Sequence, residues 1–194
     1  RSVAALIAAA LVFVNLWWVA RLLGPVRVRR RYGNIEIAEQ VPRNYVLGII
    51  VLVAVLGGWW LAELQFGDRA VLAVASWIRQ VAWGVDDPLF GRDVAFYVFS
   101  LPVAIRALEF LILIAVWTVA LVALGHVLVG GIEWDENRVS ITDPARHHLA
   151  VLVAAMVLLL GVRLWLGRYL LVVDGNGVAG ALGFTDVEAR IPMA

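Results

Sequence analysis

The 194-residue sequence contains no cysteine and no lysine, and only 16% of its residues are charged. Without cysteine there is neither a disulfide nor a thiolate metal site. All 16 basic residues are arginine, against 15 acidic ones, for a net charge of +1. No overall field of one sign is present to hold nucleic acid. Average soluble domains carry about 25% charged residues. This chain is instead 63% hydrophobic, with a mean hydropathy of +0.89. A soluble protein of this length cannot bury so much apolar surface. Lipid is the solvent that suits it.

A helix crosses the hydrocarbon core in about 20 apolar residues. Four segments meet that requirement: residues 3–23, 45–64, 103–129 and 149–170. The first is too long for a signal peptide and lacks a small-residue cleavage pattern. Arginine counts set the expected orientation. Six arginines crowd the first connection, from Arg21 to Arg43; the longer second connection has Arg69, Arg79, Arg92 and Arg106; the third has Arg138 and Arg146. The first and third connections are therefore expected in the cytoplasm, with the second connection and the C-terminal end extracytoplasmic. Arg27, Arg29, Arg30 and Arg31 suit anionic lipid at the membrane surface better than nucleic acid. Trp17, Trp18, Trp59, Trp60 and Trp165 fall near the expected membrane boundaries, where indole rings settle.

Shorter elements follow from local patterns. Residues 68–84 read as an amphipathic helix lying in the interface, with Arg69, Ser76, Arg79 and Gln80 on one narrow face. Alternation on either side of Asp135-Glu136-Asn137 predicts a small hairpin. Asp143-Pro144 reads as an N-cap followed by proline at the first helical position, starting the fourth helix. The pairs Ala4/Ala8, Ala5/Ala9 and Ala54/Gly58 would let helix backbones approach.

Three stretches together resemble a known family. Residues 87–102 read DPLFGRDVAFYVFSLP, residues 167–171 GRYLL, and residues 183–192 GFTDVEARIP. They look like the bacterial membrane proteins of uncharacterised protein family 0182. The resemblance implies a protein several times longer, with about seven spans followed by a large extracytoplasmic domain. This chain would be its second to fifth spans, in the orientation that the arginines predict. The resemblance supplies no activity and no catalytic residues. It agrees with the look of the two ends: Arg1 stands where a start methionine would be, and Ile191-Pro192-Met193-Ala194 does not resemble a solvated tail. Both ends are expected to continue in something longer.

Few residues invite chemistry. Asp86, Asp87 and Asp93 are a weak oxygen set for a hard cation; a turn at Asp87-Pro88 and a helix cap at Asp93 are the simpler expectation. Arg106 and Glu109, three apart at the start of the third span, are expected to pair. Asn15, His126 and Arg163 are polar residues in or near apolar runs, expected in structural roles, with Asn15, Ala54 and Gly58 in helix packing. His147-His148, even joined by His126, lacks the ligand spacing of a metal site. No catalytic set and no cofactor motif emerges, so an enzyme is not expected. The sequence reads as an all-α, four-span transmembrane bundle with one interfacial helix, in the bacterial cytoplasmic membrane. Its expected role is a scaffold or accessory subunit that packs in a larger membrane assembly or anchors an extracytoplasmic domain. Lipid and other membrane helices or subunits are its expected partners. A transporter or channel component is the alternative, and would need more intramembrane charge or broken helices.

Overall fold

The structure, a computed structural model, describes residues 1–22, 27–32, 35–40, 42–135 and 138–174. Side chains of residues 27–32, 35–40, 68, 69, 135 and 174 lie outside that description. The chain is all-α apart from two small hairpins. In order it forms α1 (Ser2–Leu22), β1 (Arg27–Tyr32), β2 (Ile35–Gln40), α2 (Arg43–Gln65) and α3 (Asp68–Ile78). A π-helical turn (Phe96–Ser100) then leads into α4 (Leu101–Leu128), followed by β3 (Ile132–Asp135), β4 (Arg138–Ile141) and α5 (Asp143–Asp174). Four helices are long and apolar enough to cross a membrane: Ser2–Leu22, Arg43–Gln65, Phe96–Leu128 and Asp143–Val173. Large side chains stand open along them, among them Leu6 (70% exposed), Leu158 (69%) and Leu164 (72%). Lipid tolerates such a surface; water does not.

Several boundaries differ from expectation for identifiable reasons. The third span begins at Phe96 rather than 103. Pro102 has no N–H to give and its ring crowds the carbonyl one turn back. The chain adapts with a wider turn, in which the Leu101 N–H reaches the Phe96 carbonyl. The helix at 68–84 ends at Ile78. Beyond it, the carboxylate of Asp93 takes the N–H groups of Trp83 (3.1 Å) and Gly84 (2.7 Å), and Gly84 sits at φ +70°, a conformation that suits glycine. The apolar pattern runs on, but the backbone donors are diverted. The start of α5 is one residue off: the first helical carbonyl is that of Thr142, accepting from Arg146 N. Thr142 is thus the N-cap, and Pro144 stands second, still among the helix N–H groups that need no partner.

The hairpin expected around 135–137 forms, with Ile132 opposite Ile141 and Trp134 opposite Val139. A second hairpin, unanticipated, carries the basic cluster: Arg27 pairs with Gln40, Arg29 with Ala38, Arg30 with Ile37 and Arg31 with Glu36.

The described residues form two compact units, one within 1–64 and 113–155, the other within 65–112 and 156–174. In the first, Gly58 on α2 presses against α1. A β-carbon there would lie 2.7 Å from the Ala5 carbonyl oxygen and 2.7 Å from the Ala9 nitrogen. Ala8 and Ala54 are fully covered, so the small faces predicted for these helices do meet; Ala4 is only half-buried. Gly125 on α4 leaves similar room for Val19 on α1. An ion pair of 3.3 Å joins Arg1 to Glu63. In the second unit, Tyr97, Leu101, Ile105 and Tyr169 form the core, with Phe90, Phe96, Leu166, Leu170 and Val172 packed around them.

Candidate functional site

In the second unit, the segment before α4 is built on two aspartates. Asp87 folds its own turn: its Oδ2 accepts from Phe90 N at 2.7 Å, and its carbonyl accepts from Gly91 N at 2.8 Å. The same Oδ2 accepts from the Tyr97 hydroxyl at 3.1 Å. Asp93 caps the helix that starts at Val94, accepting from Ala95 N at 2.7 Å, and also holds Trp83 N and Gly84 N. Hydrogen bonds from Ala95, Trp83 and Gly84 to the charged form hold its carboxyl below the usual carboxylate range, against a smaller opposing effect of burial. Asp86 meets Asp93 through a backbone bridge. Asp93 thus spends both oxygens, and Asp87 its Oδ2, on backbone donors and a tyrosine. Among the described residues no three His, Asp or Glu side chains are placed to hold a metal ion.

Against this turn sits a cluster of rings and arginines. Tyr169 lies 4.8 Å from Phe90, 5.4 Å from Phe96 and 5.7 Å from Trp165, centroid to centroid. The guanidinium of Arg168 stacks 4.4 Å from the Trp165 ring and 4.8 Å from the Tyr169 ring. Its Nη2 donates to the Tyr169 hydroxyl at 2.9 Å. Its Nε is buried without an acceptor. Arg92 faces Phe96 from 5.6 Å. The residues of 87–102 and of 167–171 thus pack together. The one sequence signal for Arg168 is its place in the GRYLL stretch; no local pattern marks the cluster itself. The third stretch, 183–192, lies outside the described residues.

The expected Arg106–Glu109 pair does not form. Glu109 Oε1 instead accepts from Arg163 on α5, through Nε at 3.2 Å and Nη2 at 3.0 Å. Gln65 at the end of α2 joins weakly, its Nε2 3.5 Å from Glu109 Oε2. Arg106 is exposed. Within one helix the pair would gain only a few tenths of a kcal/mol, about 0.2–0.5; the two-donor grip of Arg163 is the better partner.

In the first unit, three polar residues from three helices form a ladder. Asn15 Nδ2 donates to the Leu11 carbonyl at 2.7 Å. That bond fixes the amide, so Oδ1 faces His148 Nε2 at 3.1 Å. His148 must donate there, leaving its Nδ1 to accept from His126 Nε2 at 3.3 Å. His126 is 1% exposed. His147 turns away and bonds the Asp143 carbonyl through Nδ1 at 2.8 Å. The adjacent histidines are thus separated, and His148 joins His126 instead. An apolar groove of about 330 Å³ beside His148 is lined by Trp18, Leu22, Pro144, His147 and Val151.

The profile of the uncharacterised protein family UPF0182 matches residues 1–194. The chain belongs to this family. A UPF0182 protein of Kocuria rhizophila is 33% identical over 97% of this chain, and one of Tropheryma whipplei is 30% identical over 94%. A UPF0182 protein of Mycobacterium tuberculosis is 34% identical over 71%. The chain spans only 19%, 19% and 15% of the length of these three relatives. No solved structure matches. UPF0182 membership carries no activity to any of the residues above.

The basic residues Arg27, Arg29, Arg30 and Arg31 lie on β1, with their side chains outside the described set. Asn15 bonds His148 across helices, Ala54 is covered, and Gly58 lies against the backbone of α1.

Proposed function

We propose that this chain is a membrane scaffold: a set of spans that packs in a larger membrane assembly or anchors an extracytoplasmic domain. The observation that carries the reading is how five polar side chains of the spans are spent. Asn15, His126 and His148 bond one another, and Glu109 takes Arg163. Polar side chains closed in pairs and ladders clamp helices together; they do not line a water path. The long open apolar faces suit lipid and further helices. In this reading the membrane is the bacterial cytoplasmic one, the arginine hairpin is cytoplasmic, and no catalysis occurs within the spans.

The test is accessibility. Single cysteines at Ile114, Thr118 and Val122, which are covered on α4, should resist a small water-borne thiol reagent in membranes. Photoreactive residues at Leu6 and Leu158 should cross-link to lipid or to other protein helices. Rapid labelling at all three α4 positions would overturn the scaffold and favour a conduit.

A further inference from the structure

We propose that Arg168 and its ring cluster bind a phosphate group, as carried by a phospholipid headgroup. Three observations lead there. First, the guanidinium is partly withdrawn from solvent and its Nε–H is buried with nothing to accept it. Buried donors in folded proteins are almost always satisfied, and a charged one is the most costly to leave open. Second, among the described residues no carboxylate pairs with it. The ion pairs among the described residues are Arg1–Glu63, Asp143–Arg146 and Glu109–Arg163. Asp87, which packs through Phe90 and Tyr97 in the same cluster, makes no ion pair with it and turns its Oδ2 to Phe90 N and the Tyr97 hydroxyl. Third, the side chain is held flat by Trp165 and Tyr169 and steered by the Tyr169 hydroxyl. Stacking attracts a cation but satisfies no N–H. The result is a pre-oriented, partly exposed guanidinium with N–H groups left over, a donor set that suits phosphate oxygens. Arg92, 5.6 Å from the Phe96 ring, adds a second positive charge to the same cluster.

Location makes a headgroup the natural source. The 32 residues of α5 measure about 48 Å, against a hydrocarbon core of about 30 Å. The helix therefore extends into the headgroup layers, and Arg168 lies in its last two turns. Trp and Tyr are the residues that settle at that depth. The proposal is independent of the scaffold reading, since a bound phosphate fits a transporter equally well.

The experiment uses the purified full chain in mild detergent and native mass spectrometry. The probes are phosphatidylglycerol, a phosphate-free diacylglycerol glycolipid and inorganic phosphate. Phosphatidylglycerol should be retained over the glycolipid. R168Q should lower that retention about tenfold, the scale of one charge-assisted hydrogen bond, and R92Q should lower it less. R168K keeps the charge but loses the fork, and should fall between; it also serves if R168Q fails to fold. Displacement of the lipid by millimolar inorganic phosphate would assign the site to free phosphate. Resistance to displacement would assign it to the headgroup. Equal retention of both lipids by the parent chain, or retention by R168Q and R168K equal to the parent's with unchanged helicity, would overturn the proposal.

Discussion

Glu109 on α4 receives both Nε and Nη2 of Arg163 on α5, at 3.2 and 3.0 Å, on a single carboxylate oxygen. Two charges in an apolar setting tolerate each other far better than either tolerates isolation. The side chains are only partly covered, 29% and 41% exposed, so the loss on breaking the pair is below that of a fully buried one. E109Q or R163Q alone should destabilise the detergent-solubilised chain by about 1–3 kcal/mol. The double variant should be milder than the sum, because it leaves no orphaned charge. Thermal unfolding followed by circular dichroism would measure the coupling; strict additivity would mean the pair is incidental.

Gly58 makes a sharper steric prediction. Its missing β-carbon would fall 2.7 Å from backbone atoms of both Ala5 and Ala9. Backbone cannot move aside as a side-chain tip can. G58A should therefore cost about 1–3 kcal/mol by overpacking. G48A, with nothing within 4 Å of the added carbon, should be neutral or slightly stabilising. The pair of variants on one helix separates steric effects from helix propensity.

These two contacts show what a sequence can and cannot disclose. Apolar run length fixes where helices lie, and small residues mark where backbones can touch, so Ala54 and Gly58 could be picked out in advance. Local hydrogen-bond chemistry is equally legible: Asp93 as a cap, Asp87-Pro88 as a turn, the hairpin around 135–137. Partner choice between helices is not. Whether Glu109 takes Arg106 or Arg163, and whether His147 or His148 meets His126, depends on the rotation of each helix about its axis. Residues one position apart differ there by about 100°, and composition says nothing of it. The basic hairpin has one sequence signal, the turn dipeptide Gly33-Asn34, but its arginine-rich first strand lacks the apolar alternation that marks a strand.

The membrane orientation predicted from the arginines is open to direct labelling. With the arginine hairpin in the cytoplasm, a single cysteine at Asn34, a position outside the described residues, should be silent to an impermeant thiol reagent in intact cells and react after lysis. A cysteine at Ser76 on α3 should react from outside, and a spin label there should report headgroup depth if the helix lies in the interface. Labelling of Asn34 in intact cells would reverse the whole arrangement.

Asp93 ties together the segment between α3 and α4, and its charge is what the three N–H groups require. Its folded pKa lies below the usual value of 3.8. For a carboxyl lowered on folding, the stabilisation is fully present above the unfolded value and is lost as pH falls through the folded one. Amide exchange at Trp83, Gly84 and Ala95 should therefore stay protected at pH 5 and above and open only at strongly acid pH. D93N removes the charge and turns one acceptor into a donor. It should expose the same three amides at neutral pH and flatten their acid dependence. Unchanged exchange in D93N would mean the loop is held by other contacts.

The ladder from Asn15 to His126 makes the most specific claim, because one bond dictates the next. The Leu11 carbonyl can only accept, so it orients the Asn15 amide. The oriented oxygen then demands a proton on His148 Nε2, and the bare Nδ1 of that ring demands one on His126 Nε2. Both rings should therefore be Nε2–H tautomers when neutral, a state that nitrogen-15 histidine spectra distinguish from the Nδ1–H form. N15L keeps the volume and removes the amide. It should release His148 from its fixed tautomer while costing about 1 kcal/mol, as cross-helix hydrogen bonds in membranes do. N15D should do the reverse: a carboxylate in place of the amide oxygen favours a proton on Nε2 still more strongly, and raises the charge state of the pair. H147Q, which loses only a bond to the Asp143 carbonyl, should leave both ring spectra as they are. Finding His148 protonated on Nδ1 in the parent chain would mean that the ladder runs the other way, and that Asn15 does not set it.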